Sequence, residues 1–137
     1  MEKISLQTAG LVVVKENKLL LAYSKNKNAW YLPGGKVDAG ETSKTALKRE
    51  IEEELNFTLN PEELKYYCHI NAPAYGENRN IIMEQDCFLY TLTEEVQPSN
   101  EIGGVKFFDY ETYLSEPAQV VGVIEIFDRL HEDKILN

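Results

Sequence analysis

The stretch from Gly35 to Phe57 constrains this chain more than any other, because it joins a glycine turn to a helix whose carboxylates crowd one end. Hydroxyl side chains can cap free backbone N–H groups, so the helix is predicted to begin near Thr42 or Ser43 and to run to about Leu55. Asn56 is predicted to end it, since asparagine tolerates the left-handed backbone conformation that closes many helices.

The predicted helix has two unlike faces. One face consists of small and aliphatic residues at helical spacing, namely Ser43, Ala46, Leu47, Ile51 and Leu55. On another face, Glu50, Glu53 and Glu54 lie three and four residues apart, so their carboxylates are expected to converge. They also lie near the C-terminal end, where the helix dipole disfavours each negative charge by about 0.3–1 kcal/mol. A bound cation would reverse the sign of that effect.

These carboxylates follow a glycine turn, and together the two features predict a site for a hard divalent cation. The Gly34–Gly35 turn can present bare carbonyl oxygens, and oxygen ligands suit Mg²⁺ or Mn²⁺. Magnesium normally keeps coordination positions open for water and phosphate. The competing interpretation is a solvated acidic helix end, which would need neither the glycine turn nor this spacing.

The segment resembles the Nudix box: Gly, five residues, Glu, seven residues, then Arg-Glu, an apolar residue, any residue, Glu-Glu, any residue, Gly and an apolar residue. The matching residues are Gly35, Glu41, Arg49, Glu50, Ile51, Glu53, Glu54 and Phe57. Asn56 stands where the family has Gly, and we expect a small cost in stability with no loss of the metal site. The resemblance implies an α+β Nudix fold, with a mixed β-sheet sandwiched between α-helices (α/β/α).

The resemblance also implies a Mg²⁺-dependent hydrolase acting on phosphorus-containing acid anhydrides, in which Mn²⁺ could substitute for Mg²⁺. Glu50 and Glu54 are the implied main ligands, together with the Gly35 carbonyl. Glu53 is implied as a further ligand or a water-orienting group. Glu101, just before an aromatic strand, is implied as a fourth site carboxylate. Either Glu53 or Glu101 could be the general base.

Other residues are expected to support or surround this site. By the same resemblance, Glu41 and Arg49 pair and hold the loop against the helix. Tyr75 and Arg79 lie in a loop of turn-forming residues, where they could stack on a base and pair with a phosphate. Lys36 is a candidate phosphate contact. A plain solvent-exposed loop and exposed surface lysines are the alternatives.

The substrate stays open at this stage. The short chain favours a nucleoside di- or triphosphate or a related derivative. Pro73 matches a marker of ADP-ribose hydrolases, whereas Tyr75 matches a marker of dinucleoside-polyphosphate hydrolases. A non-catalytic nucleotide-binding domain is a further alternative, although all the box carboxylates are present. Base recognition is expected in residues 23–30, residues 73–80 and the final helix.

Length, composition and charge limit the number of domains and the kinds of partner that we expect. With 137 residues, 43% of them hydrophobic, the chain is predicted to form a single domain over residues 1–137. A net charge of -9 argues against a surface for extended nucleic acid but not against a small nucleotide. Cys68 and Cys87 lack metal-ligand spacing, and no apolar run is long enough for a membrane helix. We therefore expect a cytoplasmic protein, monomeric or homodimeric, with no membrane partner.

The remaining sequence predicts strands followed by two helices. The predicted strands are Ala9–Val14, Leu19–Tyr23, Lys65–Ala72 and Ile81–Leu92. Asp109 is predicted to cap a short helix that ends at Leu114. Ser115 is predicted to cap a final helix from about Glu116 to Lys134.

Overall fold

The computed structural model describes residues 2–77 and 80–137, which form eight strands and three α-helices. The strands are β1 (Ile4–Val12), β2 (Val14–Lys15), β3 (Lys18–Ser24), β4 (Ala29–Tyr31), β5 (Gly34–Lys36), β6 (Lys65–Pro73), β7 (Ile81–Leu89) and β8 (Ile102–Phe108). The helices are α1 (Ser43–Leu55), α2 (Tyr110–Leu114) and α3 (Val121–Glu132). None of the helices in the described ranges is long and apolar enough to cross a bilayer.

The strands divide between two four-stranded sheets. In the first, ordered β5-β1-β7-β6, β1 and β7 run parallel while β5 and β6 pair antiparallel with their neighbours. In the second, β3 pairs antiparallel with β8 along most of its length and with β2 and then β4. The predicted α+β class with a mixed sheet is therefore confirmed, and its strands are distributed over two sheets.

Apolar residues on both faces of the strands explain the layered arrangement. Successive residues of a strand point to opposite faces. Accordingly, Leu11 and Leu20 belong to a core cluster with Ile51 of α1. The adjacent Val12 belongs to a second core cluster with Phe127 of α3. The strands are thus buried between α1 on one side and α2 and α3 on the other.

The boundaries of α1 agree with the sequence prediction. Thr42 caps the helix, because its hydroxyl accepts a hydrogen bond from the Thr45 amide at 3.1 Å. Asn56 ends it with a φ of 59°, in the left-handed region. The Asn56 side chain also donates to the Gln97 carbonyl at 2.6 Å, which ties the helix end to a later loop.

That later loop satisfies carbonyl groups that the end of α1 leaves free. Ser99 Oγ and Asn100 Nδ2 donate to the Glu53 carbonyl at 2.5 and 2.7 Å. The Ser99 amide donates to the Glu54 carbonyl at 2.9 Å. Because these hydrogen bonds fix Ser99 and Asn100 against the end of α1, the next residue, Glu101, lies near the carboxylates of that helix.

The predicted start of the final helix was wrong. Ser115 ends α2 instead, its amide donating to carbonyls of that helix, and α3 begins only at Val121. The amide of Val120 donates to the buried Tyr113 hydroxyl at 2.7 Å, a tertiary contact that holds the intervening chain out of helical geometry. The predicted short helix capped by Asp109 is confirmed, since its carboxylate accepts from the Thr112 amide.

Candidate active site

A cavity of about 470 Å³ is lined by residues of both sheets, of α1 and of two loops. This volume lies in the usual range for small-molecule sites. The lining includes two kinds of polar side chain. The ionisable ones include Glu50, Glu54, Glu101, Lys27 and Lys36, and the aromatic or amide ones include Tyr31, Tyr75 and Gln85.

Two glycines let α1 approach β5 closely. A Cβ on Gly35 would lie 2.5 Å from Cδ of Glu50 and 2.7–2.8 Å from its carboxylate oxygens. The Gly34 amide donates to Oε1 of Glu54 at 3.2 Å. Gly34 has a φ of 138°, and a Cβ there would collide with the Ala9 carbonyl. Only glycine therefore fits at both positions while keeping the two carboxylates against the backbone.

Burial makes this pair of carboxylates electrostatically costly. Glu54 is only 6% exposed. Its burial raises its pKa to about 8, since the opposing hydrogen bond from Gly34 is outweighed and the charges of Glu50 and Glu101 raise it further. Burial also raises the pKa of Glu50, although Arg49 opposes this shift. A divalent cation would relieve this cost, so the donor set fits one.

Arg49 links the glycine turn to the helix through charge-assisted hydrogen bonds. It donates to both carboxylate oxygens of Glu41 at 2.8 Å and to Glu50 at 2.9 Å. It also donates to the Lys36 carbonyl at 3.0 Å. The hydrogen bonds from Arg49 lower the pKa of Glu41 to about 2. The structure thus brings Glu41 and Arg49 together in the predicted pair.

The other two predicted site carboxylates differ in position. Glu101 lines the cavity, and its carboxylate accepts from Asn26 Nδ2 at 2.7 Å. The backbone of Glu101 is also held, because its carbonyl accepts from the Lys25 amide at 2.9 Å. The side chain of Glu53 is 54% exposed and is not among the cavity-lining residues. Helical spacing predicted that Glu53 lies near Glu50 and Glu54, and the resemblance predicted Glu101, but neither could tell which of the two lines the cavity.

Within the described ranges, no three His, Cys, Asp or Glu side chains are close enough together to hold a metal ion. The predicted cluster of Glu50, Glu53, Glu54 and Glu101 is therefore not assembled as one group. The fit to a cation rests on the Glu50–Glu54 pair and on the glycine that leaves it room.

The predicted substrate contacts fall partly in the cavity. Tyr75 and Lys36 line it, whereas Arg79 lies outside the described residues. Lys27 also lines it and forms an ion pair with Glu77. None of the described residues that line it belongs to α3, so the expected contribution of the final helix to base recognition is not found there.

The cavity residues that the sequence analysis did not single out include Asn26, Tyr31 and Gln85, although Asn26 falls within residues 23–30, where base recognition is expected. Asn26 lies in the turn after β3, and Tyr31 ends β4, where neither position carries a motif. Gln85 could have been found, because it is the polar residue in the inward series Met83, Gln85, Cys87 of the predicted strand β7. A buried amide in an otherwise apolar series indicates a polar partner.

Comparison with known proteins gives the family. The NUDIX domain family matches residues 5–130. An ADP-ribose pyrophosphatase of Methanocaldococcus jannaschii is 48% identical over 101 residues, covering 72% of this chain and 58% of the relative. Nudix hydrolase 5 of Arabidopsis thaliana is 28% identical over 108 residues, covering 78% of this chain and 34% of the relative. The chain thus spans between one third and three fifths of the length of these relatives.

A solved structure supports the fold. The MutT protein of Methanosarcina mazei Go1 superposes with a TM-score of 0.78 at 21% identity, covering 98% of each chain. At this identity the likeness concerns the fold. It confirms the predicted arrangement of sheets between helices.

Proposed function

The chain belongs to the Nudix family, and on that premise we propose that it is a nucleotide pyrophosphohydrolase that cleaves a diphosphate linkage in a nucleoside di- or triphosphate or a related derivative. The observation that carries the proposal is the Glu50–Glu54 pair, buried against Gly34 and Gly35 with a charge that Arg49 offsets only in part. The proposed unit of function is a single domain over residues 1–137.

A divalent cation is the proposed cofactor. Glu50, Glu54 and the Gly35 carbonyl would hold Mg²⁺, or Mn²⁺ in its place. When bound, the cation would neutralise charge on phosphoryl oxygens and make a water molecule more nucleophilic. Its binding would also relieve the repulsion between the two buried carboxylates.

Side chains around this pair would orient the reactants. Arg49 would hold Glu50 in place through the bonds that also tie it to Glu41. Lys36 would lie beside the substrate phosphates. Lys27 would do the same after exchanging its ion pair with Glu77 for one with a phosphate.

For the general base, the geometry favours Glu101 over Glu53. A general base must lie within hydrogen-bonding reach of the water it activates. Glu101 lines the cavity and is fixed by Asn26, whereas Glu53 points largely to solvent. We therefore assign the proton-accepting role to Glu101 and a peripheral electrostatic role to Glu53.

A second candidate substrate is ADP-ribose. The relative from M. jannaschii that is named an ADP-ribose pyrophosphatase supports it. Pro73, at the position typical of such enzymes, ends strand β6 immediately before the cavity residues Ala74 and Tyr75. ADP-ribose also contains a diphosphate linkage, so the same carboxylates would serve either substrate.

The test is release of phosphate or pyrophosphate, with Mg²⁺, from nucleoside di- and triphosphates, ADP-ribose and dinucleoside polyphosphates. We expect turnover of at least one compound, its loss in EDTA and its recovery with Mn²⁺. If no compound is cleaved while nucleotides still bind, the chain is a nucleotide-binding domain without catalysis and the proposal fails.

A further inference from the structure

Two buried polar groups in the cavity have no role in phosphate chemistry. The hydroxyl of Tyr31 is fully buried, and within the described ranges it has no hydrogen-bond partner. Gln85 is 8% exposed, and its side-chain amide lines the same cavity. A buried polar group without a partner is costly, so groups of this kind are usually matched by a ligand or by water.

The amide of Gln85 occupies a place built for it. Gly10, in the adjacent strand β1, has no side chain, and a Cβ there would lie 3.0 Å from both Cδ and Nε2 of Gln85. The same Cβ would lie 3.1 Å from a methyl group of Leu32. A Cβ at Gly10 would therefore require the amide to move by a few tenths of an ångström.

The amide also has a preferred orientation. Its Oε1 accepts a hydrogen bond from the Cys87 thiol, with Sγ 3.7 Å away. A thiol is a weak donor, and the amide oxygen is the better acceptor for it than the amide nitrogen. The Nε2 group is thereby left as a donor on the cavity side, next to Gly10.

The surroundings of these two groups suit a flat heterocycle. Tyr31 and Tyr75 meet edge to face, with ring centroids 6.2 Å apart. Leu6, Leu32 and Met83 add apolar surface to the same cavity. An aromatic ligand placed against these apolar and aromatic side chains would bring its polar edge toward the Gln85 amide.

We propose that Gln85 and Tyr31 select the base of the nucleotide and favour a 6-oxopurine over a 6-aminopurine. This inference rests on the proposed function and names its substrate class. An N–H donor at Nε2 matches the exocyclic oxygen of a 6-oxopurine, whereas it opposes the exocyclic amino group of adenine. The Tyr31 hydroxyl is fully buried, so it would bond a second atom of the same ring only after the side chain turns toward the cavity. Cys87 acts as a positioning residue, because it sets the direction of the amide.

The test compares inosine 5′-triphosphate with ATP, two substrates that differ at position 6 of the purine and in the N1 proton that follows from it. For the wild-type chain we expect kcat/KM to favour the inosine nucleotide by about tenfold, the factor that one hydrogen bond of ordinary strength supplies. In Gln85→Met, which keeps the side-chain volume but removes the amide, the ratio should fall to about one while both compounds are still cleaved. Tyr31→Phe should raise KM for both nucleotides, with a smaller change in kcat.

Two further variants test whether the orientation of the Gln85 amide, and not a general effect of substitution, sets the preference for the base. Cys87→Ala leaves the cavity lining intact but frees the amide to rotate, so the ratio should also fall. Gln7→Met, an exposed position on the same sheet, is the matched control and should keep the wild-type ratio. A wild-type preference for ATP, or an unchanged ratio in Gln85→Met, would overturn the inference.

Binding without catalysis distinguishes the failure of this inference from failure of the proposed function. Inosine and adenosine monophosphates are titrated in EDTA and followed by NMR. Tighter binding of the inosine compound, lost in Gln85→Met, supports base selection even if no nucleotide is cleaved. Equal binding of the two, or binding of neither, overturns it even if diphosphate hydrolysis is observed.

Discussion

Two groups of acidic side chains, one in the cavity and one on the outer surface of β6 and β7, have opposite electrostatic properties. In the outer group, Asp86 accepts from Ser43 Oγ at 2.6 Å and pairs with His69 Nδ1 at 2.8 Å. Glu84 pairs with His69 Nε2 at 2.7 Å and accepts from Asn71 Nδ2 at the same distance. Every carboxylate oxygen of this outer group therefore has a partner.

The pKa values reflect this difference. Partial burial alone would raise the pKa of Asp86, but the hydrogen bonds from Ser43 and His69 outweigh it and the net shift is downward. At the cavity, burial dominates and raises the pKa of both Glu50 and Glu54. The charge of the outer carboxylates is matched within the fold, whereas Arg49 offsets the charge of the cavity carboxylates only in part. Matched charge indicates structure, whereas unmatched buried charge indicates a binding site.

The largest expected effect comes from Glu54→Gln, which removes the unmatched charge while keeping the shape. Mg²⁺-dependent turnover should fall by at least about 10³-fold, equivalent to about 4 kcal/mol of lost transition-state stabilisation. The melting temperature in EDTA should stay the same or rise, because the cost of burying an ionisable carboxyl group is gone. Glu52→Gln, an exposed change on the same helix, is the control. An active Glu54→Gln variant, or an unfolded one, would contradict the assignment.

The next largest effect is expected for Arg49→Met. This variant removes the guanidinium group that binds both Glu50 in the cavity and Glu41. Losing this residue should lower kcat/KM by roughly 10–100-fold, since Glu50 loses the partner that orients it. The melting temperature should fall as well, because Glu41 and the Lys36 carbonyl lose their donors. Lys48→Met removes the same charge from the neighbouring position and should do neither. Equal effects of the two variants would reduce the role of Arg49 to net charge.

A smaller effect is expected in the outer group, where His69 is the titrating member. Its hydrogen bonds with Asp86 and Glu84 raise its pKa above the usual value. The stabilisation is therefore complete below about pH 6.5, the unfolded-state value, and is lost as pH rises through the higher folded-state value. Because the side chain is 38% exposed, the difference should stay below about 1 kcal/mol.

Urea unfolding of wild type and His69→Gln on both sides of that pH window measures this contribution. The free energies of unfolding should differ most at low pH and converge at high pH. Glu125, Asp128, Arg129 and Glu132 of α3 line a groove with His69 and are unchanged in both proteins, so their titration largely cancels. A difference that grows with pH would show that the outer carboxylates are not held by the imidazolium.

The smallest effect is predicted for Asn56→Gly, at the end of the helix that carries the cavity carboxylates. Glycine adopts the left-handed conformation with less strain, but the bond from Asn56 to the Gln97 carbonyl would be lost. These effects oppose each other, so stability should change by less than about 0.5 kcal/mol. Asn56→Ala loses the bond and gains strain, and should cost about 1–2 kcal/mol more. Thermal denaturation of both variants measures the difference.

Most features of α1 could be predicted from the local sequence. The cap at Thr42 and the left-handed Asn56 follow from local residue preferences, and the pairing of Arg49 with Glu41 follows from the resemblance to the Nudix box. Sequence could not show that Glu53 turns outward while Glu101 lines the cavity. That distinction depends on the loop at residues 97–100, which binds the end of α1 from more than forty residues away.

The sequence by itself determined the helix that bears the carboxylates, because its caps and faces depend on interactions between near neighbours in the chain, and its resemblance to the Nudix box indicated the fold class. The tertiary structure alone decided which groups face the cavity. Tertiary contacts place the Gln85 side chain beside Gly10 and bury the Tyr31 hydroxyl, which has no partner among the described residues. The hydrogen bond between Tyr113 and Val120 makes α3 begin later than predicted. The physical reason is that burial and hydrogen-bond satisfaction depend on segments brought together from distant parts of the chain.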